Sequence, residues 1–379
     1  MKKNDPILIF GYSFPHRKTC DFLTILFALG FQNITVVAAP KLKLAHSSGL
    51  KNIEEINSNE YCVKNLCQIL QINFEECCHD DIQKILKIKN DTRAQIVIIS
   101  GARIIRREVI DMFPDGIVNF HPGKIPETSG LDSFYYSIKN NCSMGVTVHF
   151  IDQKVDAGRF IFFDKLRIQK NQSIDTVREN LYGVQLNAFK KYLLTYFGKK
   201  SIFKKIVRPE KNPPLELREK EILISKFQRW KISRLKEQAL AEENFFLACQ
   251  EGNVEKVRDL IFTDSYLISC HNSRGWSGII IAAFWQHLDL VSVLIEMGAN
   301  PNDFGRNGTT VVMYAKTKLL EQQIPNLSLL ELLVEAGANV YQKDNFDRDI
   351  FDYLNVENSN ERQVVDYLKN IHFSKKSSI

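Results

Sequence analysis

Apolar and polar positions alternate in blocks over the first 170 or so residues. Short apolar runs at Ile7–Phe10, Ile34–Ala38, Ile96–Ile99 and Gly116–Phe120 are separated by stretches with helical spacing at Thr19–Leu29, Glu60–Leu70 and Arg107–Met112. That rhythm predicts β-α units and an α/β fold, with a mostly parallel sheet flanked by helices on both faces. Two further strand-like runs come next in tandem, Gly145–Ile151 and Phe160–Ile168. The connection between them, Asp152–Gly158, is too short for a crossover, so they are expected to form an antiparallel or bulged pair.

Ser173–Phe197 then predicts an amphipathic helix, with Ser173 or Asp175 near its start, Val177, Leu181 and Val184 on one face, and Gly198 at its end. Ser201–Ser225 holds two short apolar runs around Pro209, Pro213 and Pro214 and reads at most as a turn-rich hairpin. Neither piece is large enough for a core of its own, so both are expected to pack on a second subunit in a homodimer.

From about residue 240 the chain repeats itself. GWSGIIIA at Gly275–Ala282 returns as GTTVVMYA at Gly308–Ala315, a period of 33 residues. The tripeptide GAN occurs at Gly298–Asn300 and again at Gly337–Asn339, with an insertion placed around Lys318–Asn326. This helix-turn-helix pattern resembles ankyrin repeats: two clear repeats, a half-repeat opening at Glu243 and a degenerate closing one near Asp344–Leu354. Three divisions are expected: residues 1–172, a connector and dimerisation region at 173–236, and a helical repeat domain at 237–379.

Composition changes this picture little. The chain is 44% hydrophobic and 25% charged, and no apolar run approaches the length that spans a bilayer. The apolar stretch after MKKNDP is too short for a signal peptide and reads as a first buried strand. Eight scattered cysteines give neither a disulfide framework nor a metal spacing, so reduced thiols in the cytoplasm are expected. Cys77-Cys78-His79 is the one cluster that invites a metal reading, and the end of a helix accounts for it as well. Charge is more telling. The formal net charge is +6, yet Lys199–Lys236 alone carries 13 Lys/Arg against 4 Asp/Glu. Such a local basic stretch suits a solvated connector, a phosphate or an acidic partner.

Candidate chemistry sits in VNFHPGKIPETSG, Val118–Gly130. Side chains alternate along a strand, so Asn119 and His121 emerge on one side at its carboxyl end, where ligands bind in open α/β sheets. Pro122-Gly123 then turns the chain. Downstream, the tight connection before Gly158 carries Asp156, a carboxylate able to reach a neighbouring strand end. An amide N–H suits a developing oxyanion, an imidazole can move a proton, and a carboxylate can orient that imidazole.

Asn119-x-His121, then Pro126 and Gly130, then Asp156-x-Gly158 resemble the folate-dependent formyltransferases over roughly residues 1–225. The resemblance implies a Rossmann-like formyltransferase fold, Asn119, His121 and Asp156 as the catalytic set, and no metal. It implies 10-formyltetrahydrofolate as the formyl donor, with its pteridine wrapped by the backbone of Gly101, Ala102, Arg103, Ile104 and Ile105. The chain departs from the family at Gly123, where serine is frequent.

HPGKIP followed by GLDSFYYSI, a short helix and hairpin after the core, and the appended repeats look most like the sugar N-formyltransferases of that family, which act on dTDP-linked amino-dideoxyhexoses for O-antigen and other bacterial surface polysaccharides. Nucleic acid and membrane are not expected partners. Two other readings stay open: a methionyl-tRNA formyltransferase, and a non-enzymatic interaction protein built on the repeats. The repeat fold implies that Arg274, Trp276, Phe284 and Trp285 face the concave side. There they would form a contact with another protein, a contact with the catalytic domain of the same chain, or a second nucleotide-sugar site.

Overall fold

The computed structural model describes residues 3–41, 61–154, 156–198, 205–206, 211–321 and 325–376. The chain divides into two compact units, Met1–Leu235 and Lys236–Ile379.

Among the described residues the first unit is built on an eight-stranded sheet in the order β3-β2-β1-β4-β5-β6-β7-β8. Its strands are β1 (Ile7–Tyr12), β2 (Ile34–Ala39), β3 (Asn73–Glu76), β4 (Ile96–Ile99), β5 (Gly116–His121), β6 (Gly145–Phe150), β7 (Gly158–Lys165) and β8 (Lys205–Ile206). The first five pair in parallel, and β6, β7 and β8 add on antiparallel. β1, β2 and β4 are apolar at nearly every position because helices cover both faces. Their side chains still sort by alternation. Ile7, Ile9, Val36, Ile98, Val118 and Phe120 enter one core. Leu8, Phe10, Val37, Val97, Ile99 and Ile117 enter the other. The expected tandem strands are an antiparallel pair with a bulge between Val148 and His149.

Helix α1 (Arg17–Ala28) starts at His16, whose ring accepts from the Thr19 backbone N–H. Helices α2 (Val63–Ile69), α3 (Ile82–Thr92) and α4 (Arg107–Asp111) lie between the strands that follow, and α5 (Ser133–Lys139) comes after the Pro-Gly turn. Helix α6 (Ile174–Lys191) is capped by Ser173 and continues as a π-helical turn, Tyr192–Tyr196. Its face of Val177, Leu181, Ala188 and Phe189 is buried in the unit's own core, with Phe189 stacked on Phe22 at 3.9 Å. The helix therefore needs no second subunit to cover it, contrary to the reason for expecting a dimer.

The hairpin expected over Ser201–Ser225 is also corrected. Residues 201–204 and 207–210 lie outside the described residues, Lys205–Ile206 pairs with β7, and α7 (Leu217–Ser225) is a helix. A reciprocal cap between Glu216 and Glu219 starts it directly after Pro213-Pro214, where the chain is held extended. The polypeptide continues as α8 (Phe227–Glu251), which contributes Phe227 and Trp230 to the first unit's core and Phe245, Ala248 and Cys249 to the second's. Much of the basic stretch is thus helical rather than an open connector.

The second unit is a run of paired helices. After α8 and α9 (Val254–Thr263) come α10 (Gly278–Phe284) with α11 (Leu288–Glu296), then α12 (Val311–Leu319) with α13 (Ser328–Glu335), and finally α14 (Ser359–Lys376). The insertion falls between α12 and α13, and its residues 322–324 lie outside the described ones. Where a half-repeat was expected at Glu243, Phe245 and Ala248 at the end of α8 and Val257 and Ile261 of α9 belong to the same core as the later repeats. Among the described residues no helix is long and apolar enough to cross a membrane.

Candidate active site

Strand β5 lies between β4, its parallel neighbour, and β6, its antiparallel one. The register sets Asn119 opposite His149 and His121 opposite Thr147. Val118, Phe120, Val146, Val148 and Phe150 turn to the opposite face and fill the core. Asn119, His121, Thr147 and His149 therefore share one face by strand alternation alone.

His121 is held at both ring nitrogens. Nε2 lies 3.0 Å from the Thr128 carbonyl oxygen, and Nδ1 lies 3.4 Å from Asp156 Oδ1. A carbonyl can only accept, so Nε2 carries a hydrogen and Nδ1 is the position that meets the carboxylate. Both side chains are buried, at 6% and 9% exposure, which strengthens their interaction relative to a solvated pair. The second carboxylate oxygen of Asp156 accepts from the Gly130 backbone N–H. Asp156 sits at φ 53, a left-handed conformation that turns the tight connection back toward β5.

Asn119 is fixed by a residue that sequence reasoning missed. Its Nδ2 lies 3.3 Å from His149 Nε2, and His149 Nδ1 lies 3.1 Å from the Ala157 carbonyl. The Ala157 carbonyl must be met by a hydrogen, so Nδ1 of His149 is protonated and Nε2 accepts from the Asn119 amide. His149 is fully buried, and burial first, with His121 next, lowers its pKa to about 4, so the ring stays neutral. The signal was in GVTVHF: period-two alternation puts Thr147 and His149 on one face, and antiparallel pairing with β5 makes it the face of Asn119 and His121.

The Pro-Gly turn is pinned from β6. Thr147 Oγ1 donates to the Gly123 carbonyl at 2.6 Å and accepts from the Ile125 N–H at 3.1 Å, and the Ile125–Pro126 bond is cis. Gly123 has a steric reason. A Cβ there would stand 2.2 Å from Thr128 Oγ1 and 2.8 Å from His121 Nε2. A side chain at this position requires the Thr128 hydroxyl and the His121 ring to shift.

The stretch Gly101–Ile105 leaves the sheet at the end of β4, beside the end of β5. Gly101 N–H donates to the Phe10 carbonyl, Arg103 reaches the Pro40 carbonyl, Ala102 and Ile105 pack inward, and Ile104 is 70% exposed. Nearby, His16 is part of a buried chain running through Thr19 and Ser100 to the Phe10 carbonyl. Burial, then Lys18, lowers its pKa to about 4. His79, of the Cys77-Cys78-His79 cluster, is a packing residue: it stacks on Phe10 at 4.6 Å and bonds the Val37 carbonyl.

In the second unit Arg274, Trp276, Phe284 and Trp285 do come together. Trp276 lies 5.2 Å from Phe284 and 4.8 Å from Tyr314, and Phe284 meets Trp285 edge-on at 5.5 Å. Arg274 lies over Trp276, and Lys318 lies over both Phe284 and Trp285. Trp276 and Phe284 are half-buried, whereas Trp285 is 42% exposed. Tyr314 and Lys318 were not foreseen; they come from the next repeat.

Known proteins share both halves of this chain. Residues 59–193 match the formyl transferase family, and residues 245–344 match ankyrin repeats in three copies. The chain thus combines a formyl transferase domain with ankyrin repeats. A methionyl-tRNA formyltransferase from Borreliella afzelii is 29% identical over 103 residues, 27% of this chain and 30% of that protein. The trifunctional purine biosynthetic protein adenosine-3 of Chironomus tentans is 23% identical over 147 residues, 38% of this chain and 10% of that protein. A solved sugar N-formyltransferase from Shewanella sp FDAARGOS_354 is 16% identical, with a TM-score of 0.39 over 58% of this chain and 86% of that one. The chain spans less than a third of the length of the methionyl-tRNA formyltransferases it matches first, 30% and 32%.

Proposed function

We propose that the protein is an N-formyltransferase. It moves a formyl group from 10-formyltetrahydrofolate to the amine of a dTDP-linked amino-dideoxyhexose, a building block of bacterial surface polysaccharide. The observation that carries this reading is the buried His121–Asp156 pair at the carboxyl end of β5, with Asn119 on the same face. A formyl carbon under attack by an amine needs an oxyanion donor on one side and a proton acceptor on the other.

The residues present suit the donor. The backbone of Ala102–Ile105 belongs to no helix or strand, so its N–H and C=O groups can pair with the edge of a heteroaromatic ring, beside the exposed apolar side chain of Ile104. The bound donor supplies an activated formyl carbon. Asn119 gives one amide hydrogen to His149, and its other is available to the formyl oxygen as negative charge develops there. His121 and Asp156 share a proton position between Nδ1 and Oδ1; they take up the proton that the amine loses as its bond to the formyl carbon forms, directly or through water, and return it to the nitrogen of the leaving tetrahydrofolate as the old carbon–nitrogen bond breaks.

The segment after the sheet favours sugar over tRNA. Between residues 205 and 235 the described residues give a two-residue strand and helices, not the separate β-barrel expected of a tRNA-binding formyltransferase. The aromatic face of the repeats is read as a second dTDP-sugar site. The exposed Trp285 ring would stack on thymine, and Arg274 and Lys318 would meet the diphosphate.

The test is direct. The purified chain is mixed with 10-formyltetrahydrofolate and, separately, with a panel of dTDP-amino sugars and with methionyl-tRNA, and tetrahydrofolate release is measured. Turnover with a dTDP-amino sugar is expected. Turnover with methionyl-tRNA alone would replace the sugar reading by the tRNA one, and turnover with neither would remove both.

A further inference from the structure

Two contacts on the His121–Asp156 pair come from one short piece of chain. The Thr128 carbonyl faces His121 Nε2, and the Gly130 N–H meets Asp156 Oδ2. Whatever holds residues 128–132 therefore bears on the distance between the imidazole and the carboxylate.

The holder is the strap at residues 211–225, outside the region that matches the formyl transferase family. Asn212 N–H donates to the Ser129 carbonyl at 3.3 Å, and its side-chain amide donates to the Glu127 carbonyl at 3.1 Å. Gly130 and Asn212 form a parallel bridge so close that a Cβ on Gly130 would stand 2.8 Å from the Asn212 carbonyl oxygen. Tyr136 Oη donates to the Pro213 carbonyl at 2.8 Å.

The strongest tie is at Asp132. Its Oδ2 accepts from the Leu215 N–H at 3.0 Å, and its Oδ1 pairs with Lys220 Nζ at 2.7 Å. The two side chains are 16% and 7% exposed, and Asp132 itself sits at φ 62. A non-glycine residue in the left-handed region persists only where its surroundings hold it. Here the holders are one backbone N–H and one buried ammonium.

We propose that Lys220 is a positioning residue for the His121–Asp156 pair, acting through Asp132 and residues 128–132. The proposal rests on the reading that this pair carries the chemistry. It makes the strap after the sheet part of the active-site construction rather than a connector. A second ion pair, between Lys139 and Glu219, joins α5 to α7 close by. It is 3.7 Å long, its side chains are 46% and 48% exposed, and it does not touch residues 128–132, so it serves as a control.

The experiment uses the full chain and the variants Lys220→Met, Lys220→Arg and Lys139→Gln. Melting, kcat and KM for formyl transfer to the accepted dTDP-amino sugar are measured. The ¹⁵N and ¹H resonances of the His121 ring are recorded in histidine-labelled protein and assigned by comparison with His121→Asn. Lys220→Met is expected to lower kcat by about tenfold to a hundredfold, the scale set by displacing a catalytic group by about 1 Å, with KM within about threefold. Lys220→Arg restores most of the loss, and Lys139→Gln changes nothing. The His121 resonance moves in Lys220→Met and returns in Lys220→Arg.

If Lys220→Met does not fold, Asp132→Asn takes its place, since it keeps an acceptor for the Leu215 N–H and removes the charge that Lys220 pairs with. A folded Lys220→Met, or failing that Asp132→Asn, with wild-type kcat and an unmoved His121 resonance overturns the proposal. Should the wild type transfer no formyl group, the functional reading fails, and the resonance decides the positioning claim by itself.

Discussion

Asn119 and His149 face each other across β5 and β6, with the amide nitrogen of one 3.3 Å from Nε2 of the other. Because His149 gives its own hydrogen to the Ala157 carbonyl, it can only accept from Asn119, and the amide cannot flip without losing the bond. Replacing His149 by Phe keeps a flat ring and removes the acceptor. We expect kcat to fall about tenfold or more, less than the loss of a whole oxyanion donor, with KM for the formyl donor nearly unchanged. Steady-state kinetics check this, and an unaltered kcat would show that Asn119 needs no such partner.

Two buried imidazoles tie stability to pH. The pKa values of His16 and His149 are lowered from 6.5 to about 4 in the folded chain. Between these values the unfolded chain binds protons that the folded chain does not, so stability falls as pH drops through that window and is unaffected above it. Each histidine contributes a slope of about 1.4 kcal/mol per pH unit there. His16→Asn keeps an acceptor for the Thr19 N–H and cannot titrate. Denaturant melts at pH 6.5 and pH 5 should show the variant losing less stability than wild type; equal losses would mean His16 is not held neutral.

Gly123→Ser should be harmful here. The new Cβ meets Thr128 Oγ1 at 2.2 Å, and we expect a destabilisation of about 1–3 kcal/mol together with reduced turnover. Adding Thr128→Ala removes the nearest atom and should recover part of both. A fully stable and active single variant would mean that the turn relaxes freely.

Much of the fold, and the placement of the candidate residues Asn119 and His121, was legible in the sequence. The parallel strands show as apolar runs because two helical layers cover them, and Asn119 and His121 emerge from alternation at a strand end. Strand β3 was not legible: Asn73–Glu76 is a polar edge strand with no buried stripe to betray it. Helix α7 was hidden by the prolines before it, although Glu216 and Glu219 form a capping signal that could have been read. The partnership of His149 with Asn119 depends on register across two strands, and the strap over Gly130 on a tertiary contact some 80 residues away; neither is written in local spacing.

The repeat face carries its own prediction. Calorimetric titration of dTDP into wild type should give two sites per chain, and into Trp285→Ala one, with the catalytic site intact in both. Equal stoichiometry would leave Trp276, Phe284 and Trp285 to a protein partner.

Proton movement by the His121–Asp156 pair during formyl transfer is tested most directly by a single turnover. Formation of the N-formyl sugar from ¹³C-formyl-labelled donor is measured in wild type and in His121→Asn and Asp156→Asn. Labelled product is expected with wild type, and a loss of about a hundredfold or more in each folded variant, with sugar binding retained. Product formed at the wild-type rate by either variant would contradict the assignment of that pair.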